Sequence, residues 1–270
     1  MKENFSVSTS KSAQIRIGLA AAWFGVFFKR TAAILVLCLI WEIIPRTGVV
    51  NSTFLPPISR VLDTLWKMLD DGSMAKHIEV SLFRALSGFL LAVLCALPVG
   101  LLIGWYRKLA EFINPVLEIF RNTAPLALLP VFTLILGIGE MSKVTIIIFS
   151  CFWPILLNTI SGVKNVDPLL IKSARSMGLS PAQLFVKVVI PASLPTIFTG
   201  IRLAGASSIL VLIAAEMVGA KAGLGFFVNS AQYSFMIPEM YAGIITLSFM
   251  GVAFNYILIA IERRMTAWRL

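Results

Sequence analysis

Asp167 to Pro195 reads DPLLIKSARSMGLSPAQLFVKVVIPASLP, a polar interruption around which an otherwise apolar chain is arranged. Asp167 is placed to cap a helix that begins at Pro168, Gly178 to end that helix in the left-handed conformation, and Ser180 with Pro181 to repeat the cap-then-proline start. The expected local structure is therefore helix, glycine turn, helix. Lys172, Ser173, Arg175 and Ser176 fall on one side of the first helix. Leu170, Ala174 and Met177, at i, i+4 and i+7, give the other side an apolar face that needs a dock. Local physics leaves two readings open, an ordinary connection between membrane helices or a docking element for a second protein.

Composition decides the class of the rest. Of 270 residues 58% are hydrophobic and 13% charged, against about 25% charged in soluble domains, so the chain is an integral membrane protein. The net charge of +10 is spread between hydrophobic spans and forms no patch of the kind that binds nucleic acid. Cys38, Cys95 and Cys151 sit inside apolar runs without metal-ligand spacing and read as small core residues.

Outward from the hinge, uncharged runs of bilayer length mark the spans. Ile17–Phe28, at 12 residues, is too short and reads as an interfacial helix within a segment 1–30, with a signal peptide as the competing reading. A first span is expected from Thr31 to Pro45, with Glu42 and Arg46 at its outer interface. After Pro56 and Pro57, the apolar positions Val61, Leu62, Leu65, Trp66 and Leu69 repeat at helical spacing opposite Arg60, Asp63, Lys67 and Asp70. That is an amphipathic helix for the bilayer or for a partner. His77 is expected in an exposed linker. Ala85–Tyr106 (22 residues), Asn122–Gly139 (18) and Val144–Val163 (20) are uncharged and give spans two to four, the third irregular because of Pro125 and Pro130. Gly100 and Gly104 within the second form a G-x-x-x-G pair, which permits close helix packing but also arises by chance.

Past the hinge, Pro191 and Pro195 are expected to set off a fifth span in which 13 residues, Leu203–Ala215, lie between Arg202 and Glu216. A carboxylate at bilayer centre costs about 2.5–3.5 kcal/mol on insertion scales, so Glu216 belongs near an interface or facing a polar interior. GLGFFVNSAQYSFMIP follows as an outer loop or re-entrant piece, and Met240–Ile261 is the sixth span. With both termini inside, 15 of the 23 Lys and Arg are cytoplasmic and 7 outside, which obeys the positive-inside rule. The expected fold is an all-α membrane protein of about six transmembrane helices, residues 31–270, with the hinge of residues 164–195 in the cytoplasm.

No H-E-x-x-H, G-x-S-x-G, P-loop or pair of intramembrane carboxylates is present, so no residue is assigned a catalytic or metal-ligating role. Candidate pathway or gate residues are the polar groups within spans, Asn158, Thr159, Ser207, Ser208 and Glu216. Each hydroxyl has a competing use in bonding its own helix backbone.

Ala174 to Pro195, A-R-S-M-G followed by I-P-A-S-L-P, resembles the EAA loop of the permease subunits of binding-protein-dependent ABC importers. Ala174, Gly178, Leu194 and Pro195 match that pattern, while Lys172 and Ser173 replace its Glu and first Ala. FLPPISRVLDTL (Phe54–Leu65), LGIGEMSKV (Leu136–Val144) and AAEMVGAKAGLGFFV (Ala214–Val228) are similar to the branch importing sulfonates, taurine, nitrate or bicarbonate. The resemblance implies a type I importer permease in a prokaryotic inner membrane, working as a homodimer with a cytoplasmic ATPase dimer and an extracytoplasmic binding protein. ATP and Mg would be held by the ATPase, and this chain would bind no cofactor. It further implies that Leu169, Leu170, Lys172, Ser173, Ala174, Arg175, Met177 and Gly178, with Leu194 and Pro195, couple to that ATPase. Lys172 would then meet an acidic or neutral partner surface. Rival readings are the coupling subunit of an energy-coupling-factor importer, which wants two A-R-small motifs where one is found, and a secondary transporter, which wants inverted halves.

Overall fold

The computed structural model describes residues 32–266, and among them every regular element is helical. The segment 1–30, with its expected interfacial helix, and the terminal Arg269 lie outside the described residues. The chain divides into two compact units, Met1–Thr64 and Leu65–Leu270.

In the first unit, α1 covers residues 32–46, close to the expected first span. Glu42 does more than face an interface. Its carboxylate pairs with Arg46 and accepts from the backbone N–H (3.0 Å) and hydroxyl (2.9 Å) of Ser59. The first of those hydrogen bonds, from the Ser59 N–H, satisfies one of the open amides at the start of α2 (Ile58–Asp70). The Trp41 indole donates to the Pro56 carbonyl at 3.1 Å. The amphipathic helix read from the sequence is α2, with Leu62 and Trp66 exposed.

In the second unit, α3 runs from Ser73 to Trp105, starting 12 residues before the expected span. His77 is thus half-buried in a helix rather than in an exposed linker, because the charge of Arg84 is neutralised inside the protein and does not end the helix. α4 (Arg107–Arg121), a 3₁₀ turn (Pro125–Leu128) and α5 (Leu129–Leu136) follow. The expected third span, Asn122–Gly139, is irregular as read: it is helical over Pro125–Leu136 and long enough to cross a membrane only when counted together with α4. α4 and the segment Pro125–Leu136 bend by 83°, a break just ahead of Pro125, which has no N–H to continue the α4 ladder. α6 (Glu140–Lys164) leads to α7 (Pro168–Ser176) and α8 (Pro181–Leu184). A π turn at Phe185–Val189 joins α8 to α9 (Ile190–Met217). Pro191 and Pro195 thus do not set the hinge apart from the fifth span, and Pro181–Met217 is one continuous 37-residue helical run. The widened turn, in which Ile190 N–H donates to the Phe185 carbonyl, relieves the clash that the Pro191 ring would make with the carbonyl four residues back. α10 (Leu224–Tyr233) and α11 (Ile237–Met265) complete the chain.

Four described helical runs are long and apolar enough to cross a membrane, those of α3, α6, α8–α9 and α11, and the bent pair is a fifth if it counts as one span. α6 lies between α3 and α9 and packs along both. Its seam with α3 is lined with glycine. A Cβ at Gly88 would meet Ile147 at 2.6 Å, one at Gly100 would meet Thr159 at 2.7 Å and one at Gly104 would meet Val163 at 2.7 Å. The G-x-x-x-G pair is a packing device, bringing two backbones into contact where lipid offers no hydrophobic driving force.

Candidate functional site

At one end of the α6–α9 pair the hinge has the expected skeleton. Asp167 accepts from Leu169 N–H at 2.8 Å, ahead of Pro168 at the first helical position. Gly178 has φ of +78°, and its N–H donates to the Arg175 carbonyl (2.9 Å) while Leu179 N–H donates to that of Ala174 (3.3 Å). Reversing the chain this way calls for a residue without the Cβ penalty. Ser180 and Gln183 form a reciprocal capping box, a signal legible in S-x-x-Q that the sequence reading used only in part.

The docked face differs from expectation. Ala174 is buried with Val163, Val166, Leu184 and Val189, and Ile171 and Leu179 pack against that cluster. Leu170 and Met177, expected to dock beside Ala174, are 50% and 73% exposed, and Leu169 is 68% exposed. The glycine turn folds Leu179 back over the helix, so the inward stripe is Ile171 and Ala174. Lys172, Ser173 and Arg175 are also exposed. Leu194 and Pro195 sit apart, half-buried within α9.

At the other end of α6 lies an ionic cluster. Glu216, 0% exposed, accepts from Arg84 Nη1, from the Ser81 hydroxyl and from Gly225 N–H, each at 2.8 Å. The Arg84 guanidinium also binds Glu140 through Nε and Nη2, both at 2.6 Å, and the Ala222 carbonyl at 2.7 Å. Three successive amides opening α10 are thereby received by side chains: Gly223 by His77 Nδ1 (3.1 Å), Leu224 by Ser81 (2.8 Å) and Gly225 by Glu216. A carboxylate at a helix N-terminus offsets the positive end of its dipole. Any side chain at Gly223 would overlap the Glu216 carboxylate. Lys143, also buried, donates to the Gly139 carbonyl at 3.0 Å.

Glu216 thus faces a polar interior, one of its two expected environments. The remaining pathway candidates do not gather around it. Asn158 donates to Pro154, Thr159 to Ile155 and Ser208 to Gly205, each to a carbonyl of its own helix, and Ser207 is half-buried on α9. Sequence reasoning missed Ser81 and Arg84 as partners of Glu216, and Glu140 as the second partner of Arg84. One signal was available, since an arginine at the lip of a 22-residue apolar run demands a counter-charge.

Comparison with known proteins agrees with this architecture. The family described as binding-protein-dependent transport system inner membrane component matches residues 88–267. A protein of Brucella abortus (strain 2308), named as an ABC transporter permease, is 36% identical over 229 residues, covering 85% of this chain and 90% of that one. The taurine transport system permease protein TauC of Escherichia coli (strain K12) is 33% identical over 238 residues, 86% of each chain. In fold, the chain is similar to the inward-facing MetNI methionine ABC transporter, with a TM-score of 0.60 at 22% identity over 72% of this chain and 96% of that one. An all-helical membrane bundle, a capped helix–glycine–helix hinge joining two of its long helices, and a match over two-thirds of its length place this chain among the binding-protein-dependent inner membrane permeases of ABC importers.

Proposed function

We propose that the chain forms, as a homodimer, the translocation pathway of an importer for a small oxyanion: a sulfonate such as taurine, nitrate or bicarbonate. A cytoplasmic ATPase dimer, holding ATP and Mg, drives it through the hinge, and an extracytoplasmic binding protein delivers the solute at the opposite end. Both termini are cytoplasmic in this reading, in line with the lysine and arginine count. The substrate class rests on relatives named for aliphatic sulfonates, taurine and bicarbonate.

The observation that carries the coupling role is the two-faced hinge. Ile171 and Ala174 fasten α7 to the ends of the long helices, while Leu169, Leu170 and Met177 stand exposed among Lys172 and Arg175. A rigidly mounted helix with an apolar, basic outer face suits a groove on a soluble partner. Closure of the ATPase dimer would move two such hinges together and turn the pathway outward, a two-state element biased by nucleotide.

Co-purification with the ATPase, and uptake into proteoliposomes driven by loaded binding protein, test the proposal. Gly178→Val, a β-branched residue at φ of +78°, is expected to lower uptake by disturbing the angle between α7 and α8. A variant that still assembles with the ATPase and transports at the parent rate would show that the hinge does not couple.

A further inference from the structure

Among the described residues, one buried side-chain nitrogen or oxygen has no hydrogen-bond partner, the indole Nε1 of Trp153. An unpaired buried donor costs free energy that a single ordinary bond would remove, so such a group calls for a specific cause.

Its location is informative. Trp153 lies near the middle of α6 (Glu140–Lys164), about 20 Å from the Glu140 end at 1.5 Å per residue. One side of α6 packs on α3, through residues such as Ile147 and Thr159, and on α9, through Asn158. Trp153 belongs to the other side, where α4 and α5 bend around it. Phe120 of α4 stacks on the indole at 4.7 Å and 5°, while Phe149 and Phe152 meet it edge-on at 5.8 and 5.1 Å. Phe132 of α5 closes on Phe149 at 5.9 Å. The donor is thus held in an aromatic cluster at the elbow of the one broken helix pair found among the described residues.

Irregular backbone at membrane depth persists where it is buried in protein or lines a polar cavity, and midplane solute sites of transporters form beside discontinuous helices. We infer that the Trp153 indole N–H is a contact for the transported oxyanion, used when the α4–α5 elbow opens toward the pathway; this rests on the importer reading above. The chemistry matches on both sides. A sulfonate, nitrate or bicarbonate carries oxygens that accept hydrogen bonds, the indole N–H only donates, and phenylalanine edges present the positive part of the ring quadrupole. A neutral donor also lets the anion leave, as transport requires, where a lone buried cation would hold it.

The test uses the importer assembled with its ATPase in proteoliposomes, with saturating binding protein and with taurine, methanesulfonate, nitrate and bicarbonate as probes. Trp153→Phe keeps a ring for Phe120 and removes the N–H. The expected result is uptake lowered about tenfold, the effect of one lost bond to a charged group, with complex yield and binding-protein-stimulated ATP hydrolysis within twofold of the parent. Trp153→His, which restores a ring N–H, is expected to recover part of the uptake. Parent-rate uptake by Trp153→Phe overturns the inference and leaves the importer reading standing. Equal losses of uptake, ATP hydrolysis and complex yield assign Trp153 to elbow packing and overturn it as well. A parent chain that moves none of the four anions overturns the anion reading, and this inference with it.

Discussion

Arg84→Met removes the guanidinium that joins Glu140 to Glu216. The two carboxylates are not equally affected. The Glu140 side chain is 65% exposed and can be solvated, whereas Glu216 is fully buried and keeps only Ser81 and Gly225 as uncharged donors. Removing one partner of a buried ion pair costs about 3–5 kcal/mol. At about 2–4 °C per kcal/mol for a domain of this size, melting should fall by about 6–20 °C. Cys151 offers the assay, because it is buried at the α6–α9 seam with its Sγ donating to the Ala204 carbonyl at 3.4 Å. In a Cys38→Ser, Cys95→Ser background its reaction with a thiol-specific fluorophore on heating reports opening of that seam. Adding Glu216→Gln to Arg84→Met removes the stranded charge yet keeps an acceptor for Gly225, so the double variant should regain most of the loss. The reasoning fails if Arg84→Met melts within about 2 °C of the parent, since even the low end of the expected range exceeds that. It fails equally if the double variant is no more stable than Arg84→Met.

Gly104→Leu drives a side chain into Val163, since even a Cβ there would lie 2.7 Å from it. Overpacking of that kind costs about 1–3 kcal/mol or more and should lower melting in the same assay. Gly139→Ala, at a position with φ of −158° and open space around the new Cβ, should leave it unchanged. His77→Phe leaves Gly223 N–H without its acceptor at the start of α10. The expected cost is about 1–3 kcal/mol, with faster backbone amide exchange at residues 223–225 as the specific readout. Lys172→Glu reverses the charge of the hinge's outer face, so ATPase retention during purification should fall at low salt and recover in part as added salt screens the new repulsion, if Lys172 meets an acidic groove. Retention equal to the parent's at low salt would remove Lys172 from the docking surface.

The hinge was legible because its signals are local. An aspartate before Pro168, a glycine two residues past the helix and a serine before Pro181 each act on neighbouring backbone, and each recurs in the structure as a hydrogen bond or a positive φ. What one helix does to another was less legible. Periodicity could not tell that Ile171, rather than Leu170 and Met177, would accompany Ala174 inward, because the turn at Gly178 decides which way α7 rolls. Nor could span counting, which stops at charge, extend α3 back through Arg84 and His77, since the groups that neutralise and bind them come from residues 140, 216 and 223. Prolines acted in opposite ways at the two places where they cluster. Pro125 follows a break in the helix, whereas Pro191 and Pro195 lie within a continuous one, because a π turn just ahead of Pro191 makes room for its ring.

The hinge and the ionic cluster are opposite ends of the same two helices. α6 begins at Glu140 within the cluster and ends at Lys164 beside the hinge, while α9 leaves the hinge region and ends one residue past Glu216. By helical rise the two ends are about 36 Å apart. A displacement applied to α7 reaches the far end undiminished only if the helices between do not shear. Glycines 88, 100 and 104 key α3 onto α6, and a Cβ at Gly200 of α9 would meet Asn158 of α6 at 2.5 Å, so sliding along either seam drives side chain into backbone. Packed interfaces of this kind move as units rather than deform continuously. The far end adds a second device to this packing, an ion-pair network built on the buried side chains of Arg84 and Glu216. Arg84 ties α3 to the start of α6 and the end of α9 at once, and Glu216 carries the tie on to α10. The cluster is thus a clamp that joins α3, the start of α6, the end of α9 and the start of α10 into one body.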